Sequence, residues 1–187
     1  RFFIRTSDCV EIRNLNIDWN WKKSPLASVV TVQNSNTDTN TLDLVFKDAE
    51  YCDENCRLMA ITQCDPETYT FGAKYSSKEV YLYQDGTNIK SVQKISDNTL
   101  RVTHNGGMNG FEDGETYILR HYVYNGTVFN LRDYSKNITF DNVSIYGSPG
   151  MAYICEGNSS HFQIINSFIG VNPEHKDKRC VSLTADA

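Results

Sequence analysis

This sequence has no long run rich in lysine and arginine, and no apolar stretch runs long. Its 18 basic residues against 23 acidic ones leave a net charge of −5. The basic stripe that a phosphate backbone demands is missing, which argues against a nucleic acid partner. The longest apolar runs, such as residues 27–32, fall far short of the roughly 20 residues that a membrane-spanning helix needs. The first residues, Arg1, Phe2 and Phe3, lack a signal-peptide layout, and no segment carries a helical pattern. The four histidines, His104, His121, His161 and His175, stand far apart with no Ser-His-Asp or metal-ligand spacing. Nucleophilic and metal-dependent mechanisms therefore have no support, and no cofactor or metal is implied. Gly106, Gly107 and Gly110 have no helix after them and read as a turn, not a phosphate cradle. The chain starts without Met and stops at Ala187, so it is expected to be a segment of a longer protein.

What is present begins with six cysteines, an even number that permits full pairing in an oxidising compartment. Cys9, Cys155 and Cys180 lie in or beside apolar strand patterns, where a free thiol serves as a small buried hydrophobe, and this reading is preferred. Cys52 and Cys56, on a polar loop with Cys64 nearby, could form a bridge or a metal clip, but they have no histidine at ligand spacing.

Internal repetition decides the architecture. Residues 9–17, 137–145 and 161–169 align without gaps: apolar and polar residues alternate, Asn14, Asn142 or Asn166 holds the same place, and an apolar pair at spacing two follows. Alternation means strands with one buried face. Asn142 and Asn166 are 24 residues apart, one coil of a right-handed parallel β-helix, in which stacked units bury a core that none could bury alone. The three asparagines are expected to form a buried amide ladder at a turn. A second strand per coil repeats over 128–131, 152–155 and 181–184, each followed by a pair of residues at one edge: Arg132 with Asp133, Glu156 with Gly157, and Ala185 with Asp186.

Residues 22–121 lack this signature and read as short alternating strands over 28–33, 41–46, 58–63, 68–72, 79–83, 99–104 and 115–120. Turn signals at 34–36, 85–86, 97–98 and 105–107 separate them. The expected organisation is all-β: β-helix coils at 1–21 and 122–187, with an antiparallel barrel or sandwich of 22–121 inserted between them.

Long grooves of stacked strands suit extended saccharides, though a fold alone does not fix a function. Asp133 and Asp186 fall in one column two rungs apart, roughly 9.6 Å at 4.8 Å per rung, with Glu156 on the intervening rung one place earlier. Inverting glycoside hydrolysis uses two carboxyl groups about 6.5 to 9.5 Å apart, one as acid and one to activate water. The competing reading is solvated turn carboxylates, since Asp is favoured after strands.

Residues 8–19, residues 129–151 with their Tyr-Gly-Ser-Pro-Gly-Met ending, and residues 179–187 with their Thr-Ala-Asp together resemble glycoside hydrolase family 110. That resemblance implies a bacterial, secreted, periplasmic or cell-surface exo-acting α-1,3-galactosidase that inverts at the anomeric carbon and is built as a β-helix with an inserted barrel. It implies that Asp186 is one of the catalytic carboxylates. It also implies that further carboxylates lie one coil beyond, in an Asp-Asp-Ala motif, so that this segment alone is expected to be inactive.

Glu156 and Tyr153, read as sharing a face, are candidate contacts to a sugar hydroxyl and a sugar ring, although a strand tyrosine more often packs in a core. Asp133 joins them as a candidate substrate-binding residue. Asp18, Trp19 and Trp21 close the first coil and could form an aromatic platform or pack a hinge. Glycosylation signals at Asn125, Asn137, Asn142 and Asn158 read as chance in a chain rich in Asn, Ser and Thr, with Asn142 placed in the buried ladder. The expected partner is a glycan. Two rivals remain: a non-catalytic saccharide-binding or surface β-helix, and a polysaccharide lyase, which would need clustered acids for Ca²⁺ and a base from Lys176, Lys178 or Arg179.

Overall fold

The protein is all-β. The computed structural model describes residues 1–20, 23–71, 78–82, 89–122, 127–148, 150–170 and 172. Fourteen strands lie among them: β1 (Phe2–Arg5), β2 (Asp8–Asp18), β3 (Ala27–Asn36), β4 (Thr41–Phe46), β5 (Ala60–Gln63), β6 (Glu79–Tyr81), β7 (Ile89–Ser96), β8 (Thr99–His104), β9 (Thr116–Arg120), β10 (Phe129–Arg132), β11 (Lys136–Tyr146), β12 (Tyr153–Cys155), β13 (Ser160–Ile165) and β14 (Phe168–Gly170). The chain divides into two compact units, Arg1–Leu26 with Val123–Ala187, and Ala27–Tyr122.

In the first unit every strand pairing is parallel. β10 lies between β1 and β12, with Phe129 beside Phe2 on one side and Tyr153 on the other. β11 lies between β2 and the two short strands β13 and β14, with Lys136 beside Asp8 and Ser160, and Ser144 beside Asn16 and Phe168. Phe129 with Tyr153 and Lys136 with Ser160 both pair at the 24-residue offset that the repeat predicts.

The sequence explains how a strand of 11 residues turns a corner. In β11 the buried positions are Ile138 and Phe140, then Val143 and Ile145; the phase slips by one residue between them. Asn142 absorbs the slip at φ +55, and Asn14 and Asn166 do the same at +54 and +50. Asparagine enters the left-handed region at little cost because its short amide bonds locally. A second left-handed column, Cys9, Asn137 and His161 at φ +57, +55 and +53, lies near the start of the same strands, at positions the repeat aligns but whose left-handed conformation their residue types do not signal. The amide ladder forms only between two rungs: Asn142 Nδ2 donates to Asn14 Oδ1 at 2.8 Å, while Asn166 Nδ2 donates to Asp141 Oδ1 at 2.9 Å. All three asparagines are exposed, not buried as expected, because the corner turns their side chains to solvent.

The interior is an aromatic and aliphatic stack. Phe129 and Tyr153 stack with centroids 5.3 Å apart, Phe140 packs against both at 4.8 Å from each, and the half-exposed Phe2 stacks on Phe129 at 5.0 Å from the sheet edge. Around them lie Ile4, Leu131, Ile138, Val143 and Ile145. Each fully buried side chain of this size stabilises by about 1.5 to 3 kcal/mol.

The second unit is one seven-stranded antiparallel sheet in the order β6-β5-β9-β3-β4-β8-β7, curled into a half-barrel. Its concave face closes on Val30, Val32, Leu42, Leu44, Phe46, Ile61, Leu100, Val102, Tyr117 and Leu119, to which Val80 of one edge strand and Ile89 and Val92 of the other also pack. Residues at both edges reaching the same core is what curls the sheet.

Several expectations are corrected. β7 was not anticipated, because its lysines and serines on a half-exposed edge blur the alternation. Residues 68–71 form no strand: Asp65 Oδ1 accepts from the backbone N–H groups of Glu67 and Thr68 and holds a turn there. β3 runs through the turn expected at 34–36, accommodating it as a register shift with Asn34 at φ +51. Cys9 and Cys155 are exposed, not buried, whereas Cys52 and Cys64 are the buried thiols, and all the cysteines among the described residues are free. Burial, with Asp53 adding to it, pushes the Cys56 thiol up to about 12. It therefore stays a neutral thiol, and no group of three metal ligands forms among the described residues. Cys180 lies outside them.

Candidate functional site

Past β1, β10 and β12 the chain leaves the short parallel sheet through a left-handed corner. Thr6, Asp133 and Tyr134, and Gly157 and Asn158 carry φ values of +47, +58, +66, +65 and +60. The corner stacks tightly: Tyr134 N–H donates to the Gly157 carbonyl at 2.9 Å, and a Cβ placed on Gly157 would lie 2.8 Å from the Asp133 backbone nitrogen. Glycine is thus required at that rung both for its φ and for the approach of the neighbouring backbone.

Register then sets the side chains. Arg5 pairs with Arg132, and the Glu156 N–H donates to Leu131 O at 2.8 Å, which places Glu156 on the next rung. Arg5 Nε donates to Asp133 Oδ2 at 2.8 Å. Arg132 Nε lies 3.4 Å from Glu156 Oε1 and 3.9 Å from Asp133 Oδ2, and Asn130 Nδ2 donates to Glu156 Oε1 at 3.1 Å. The result is a charge-balanced row at one edge, two guanidinium groups alternating with two carboxylates. Its members are 35% to 58% exposed, so each ion pair adds little stability, about 0 to 1 kcal/mol.

Asn130 departs from this open setting. It is only 2% exposed, and its Oδ1 is buried with no hydrogen-bond partner among the described residues, as is Arg132 Nε. A buried carbonyl oxygen left unpaired costs about 1 to 3 kcal/mol unless water or a ligand supplies a donor. The row therefore offers two guanidinium groups and two carboxylates within one stretch of edge, with the Asn130 amide buried behind them. Such a set fits a ligand that donates and accepts several hydrogen bonds.

Asp133 and Glu156 thus come together, linked by Arg132. Tyr153 does not join them. It faces inward onto Phe129 and Phe140, whereas Glu156 meets Asn130 and Arg132, which alternate with the inward Phe129 and Leu131. The two stand on opposite faces of the strand, a correction to the shared face read from sequence. The Tyr153 hydroxyl is buried without a partner among the described residues, and burial raises its pKa. Trp19 follows β2, with its indole N–H donated to Ser24 O at 2.7 Å and its backbone N–H to Tyr146 O at 2.9 Å. These bonds fasten the chain where it leaves the strand. Asp18 accepts from Asn172 Nδ2 at 3.1 Å. Asp186 lies outside the described residues, as do Trp21, Asn125, His175, Lys176, Lys178 and Arg179.

Arg5 and Asn130 were missed by sequence reasoning. A signal for Arg5 was present: Phe2, Ile4 and Arg5 match Phe129, Leu131 and Arg132 place for place. Asn130 gave none, since a strand asparagine between two apolar residues shows neither its burial nor its unpaired oxygen.

A scan against protein-family models finds no match for this sequence, and a search of curated proteins finds none either.

Proposed function

We propose that the parallel strands are coils of a right-handed β-helix with the half-barrel as its insert, and that the protein is a glycoside hydrolase removing terminal α-linked galactose with inversion. On this reading Asp186 supplies one carboxyl group of the acid/base pair, and the protein works outside the bacterial cytoplasm without cofactor or metal. Asp133 and Glu156, already ion-paired with Arg5 and Arg132, hold sugar hydroxyls. The observation that carries the reading is the row itself, in which Arg5, Asp133, Arg132 and Glu156 alternate in charge along one accessible edge and Asn130 Nδ2 holds Glu156 in place, groups of the kind that bind polyols. The resemblance of residues 179–187 to an inverting galactosidase family supplies the reaction.

The test is turnover of p-nitrophenyl α-galactoside by the full-length protein and by its Asp186→Asn variant. Loss of about 10³-fold or more in kcat is expected for a group that transfers a proton in the transition state and also assembles the attacking water. Unchanged turnover in the variant contradicts the assignment. A second reading, a saccharide-binding β-helix without catalysis, is favoured by one observation: both described carboxylates of the edge are engaged by guanidinium groups. Saturable galactoside binding with no turnover by the full-length protein would select it.

A further inference from the structure

The corner after β10 carries an aromatic side chain that the ion-paired row does not use. Tyr134 follows Asp133 in the chain and is 70% exposed, more than any other large apolar or aromatic side chain among the described residues. Its φ is +66, directly after the +58 of Asp133. A bulky side chain in the left-handed region is a genuine outlier. The next rung shows which residues that corner favours: Gly157 and Asn158 hold the same two places at φ +65 and +60, and both types enter the region at little cost. Tyrosine is therefore not at this corner for the sake of its backbone.

The surroundings hold the strained residue in place. Ser135 is fully buried, with Oγ 2.9 Å from the Arg132 carbonyl oxygen and 3.0 Å from that of Ile4, and its N–H donates to Ser159 Oγ at 3.1 Å. Tyr134 gives its own N–H to the Gly157 carbonyl at 2.9 Å. The backbone on both sides of the ring is thus fixed, while the exposed ring adds nothing to the core. Strain of this kind, kept where the side chain does not pack, is typical of ligand contacts.

Groups that hold sugar hydroxyls stand beside it. Arg5 and Arg132 both face Oδ2 of Asp133, which leaves Oδ1 as an acceptor. Gly157 keeps that flank open, since a Cβ there would lie 3.6 Å from Asp133 Oδ1. Glu156 gives Oε1 to Asn130 and Arg132 and keeps Oε2. The Cα atoms of Asp133 and Tyr134 are about 3.8 Å apart, so a single sugar ring spans the distance from the aromatic ring to the carboxylates.

We propose that Tyr134 is the substrate-stacking residue of this edge: the apolar C–H face of one neutral sugar lies on its ring, and hydroxyls at the rim of that sugar donate to Asp133 Oδ1 and Glu156 Oε2. This rests on the reading that the row binds sugar, and it gives Tyr134 the ring contact expected from sequence at Tyr153, whose ring faces inward. Galactose suits such a platform, because its axial hydroxyl leaves a continuous patch of C–H groups on the opposite ring face.

Titration calorimetry with methyl α-galactopyranoside, on full-length protein carrying Asp186→Asn, reads binding apart from hydrolysis. In that background Tyr134→Asn should weaken binding about three- to tenfold, the equivalent of one stacked aromatic contact. Its urea midpoint should hold or rise, because asparagine takes the left-handed place with less strain. Tyr134→Phe, which keeps the ring, should bind as its parent does. A residue that only shapes the corner would leave the affinity unchanged in both variants. Absence of turnover in the unsubstituted protein would sink the hydrolase reading and leave this one standing, provided that Tyr134→Asn still weakens binding. No saturable binding, an affinity untouched by Tyr134→Asn, or a loss with Tyr134→Phe as large as that with Tyr134→Asn overturns the proposal.

Discussion

Three glycines separate conformational strain from steric clash. A Cβ on Gly157 meets two penalties, a left-handed φ of +65 and the Asp133 backbone nitrogen at 2.8 Å. One on Gly114 meets only the first, with φ +90 and nothing within 4 Å, and one on Gly110 meets neither. A left-handed alanine costs about 1 to 2 kcal/mol, and forcing backbone apart to admit a methyl group adds about 1 to 3 kcal/mol. Gly157→Ala is therefore expected to lose about 2 to 4 kcal/mol and Gly114→Ala about 1 to 2. Gly110→Ala should be neutral or should gain up to about 1 kcal/mol by restricting the unfolded chain. In a unit of 60 to 100 residues each kcal/mol moves the midpoint by about 4 to 8 °C, so Gly157→Ala should lower the melting of the first unit by about 10 °C or more. Urea denaturation of the three variants beside the unsubstituted protein gives the ranking. A cost for Gly157→Ala below about 1 kcal/mol, or no greater than that of Gly114→Ala, would refute the close stacking of the corner that carries Asp133.

Two further outcomes follow from the cores. In the half-barrel, His121 Nδ1 is 2.7 Å from the Arg57 carbonyl oxygen, an acceptor only. The ring proton therefore sits on Nδ1, and Nε2 accepts from Ser28 Oγ at 2.8 Å. His104 Nδ1 accepts the Gly106 N–H at 3.0 Å. Burial lowers the pKa of both, against the Arg57 carbonyl bond for His121 and with help from the Lys90 charge for His104. The folded unit thus binds fewer protons than the unfolded chain below pH about 6.5. The stabilisation is complete above that pH and is lost as pH falls through the folded pKa values, with a slope of up to about 1.4 kcal/mol per pH unit for each imidazole. Urea midpoints that do not change between pH 7 and pH 5 would contradict this. Phe140→Ala removes a fully buried ring that touches Phe129 and Tyr153; calorimetry should show a loss of about 3 to 5 kcal/mol, and a loss under 1 kcal/mol would place that ring outside the core.

The repeat was legible because stacking forces it into sequence: inward residues every second place, and an asparagine where the strand changes phase. That pattern located β2, β11 and β13 and the 24-residue rung. The left-handed conformation shared by Cys9, Asn137 and His161 escaped because three different residue types occupy that aligned column. In the insert, β4 and β8 were found at their observed bounds because both alternate cleanly. β7, which lines the edge with Lys90 and Lys94, hid its period. At the candidate site Asp133 and Glu156 were placed on one edge by rung counting alone. Pairing with Arg5 required knowing that residues 2–5 form a rung, and the direction of Tyr153 required the strand's phase, which three residues of sequence do not fix. The burial of Asn130 is a property of packing and leaves no mark on the sequence.

The central claim is the proposal that the protein removes galactose with inversion, with Asp186 as one carboxyl group of the pair. The measurement that addresses it most directly is hydrolysis of α-1,3-linked galactobiose by the full-length protein, with the first-formed anomer followed by proton NMR. The account expects β-galactose to appear first and to mutarotate afterwards. Release of α-galactose first, or no hydrolysis at all, would contradict an inverting galactosidase.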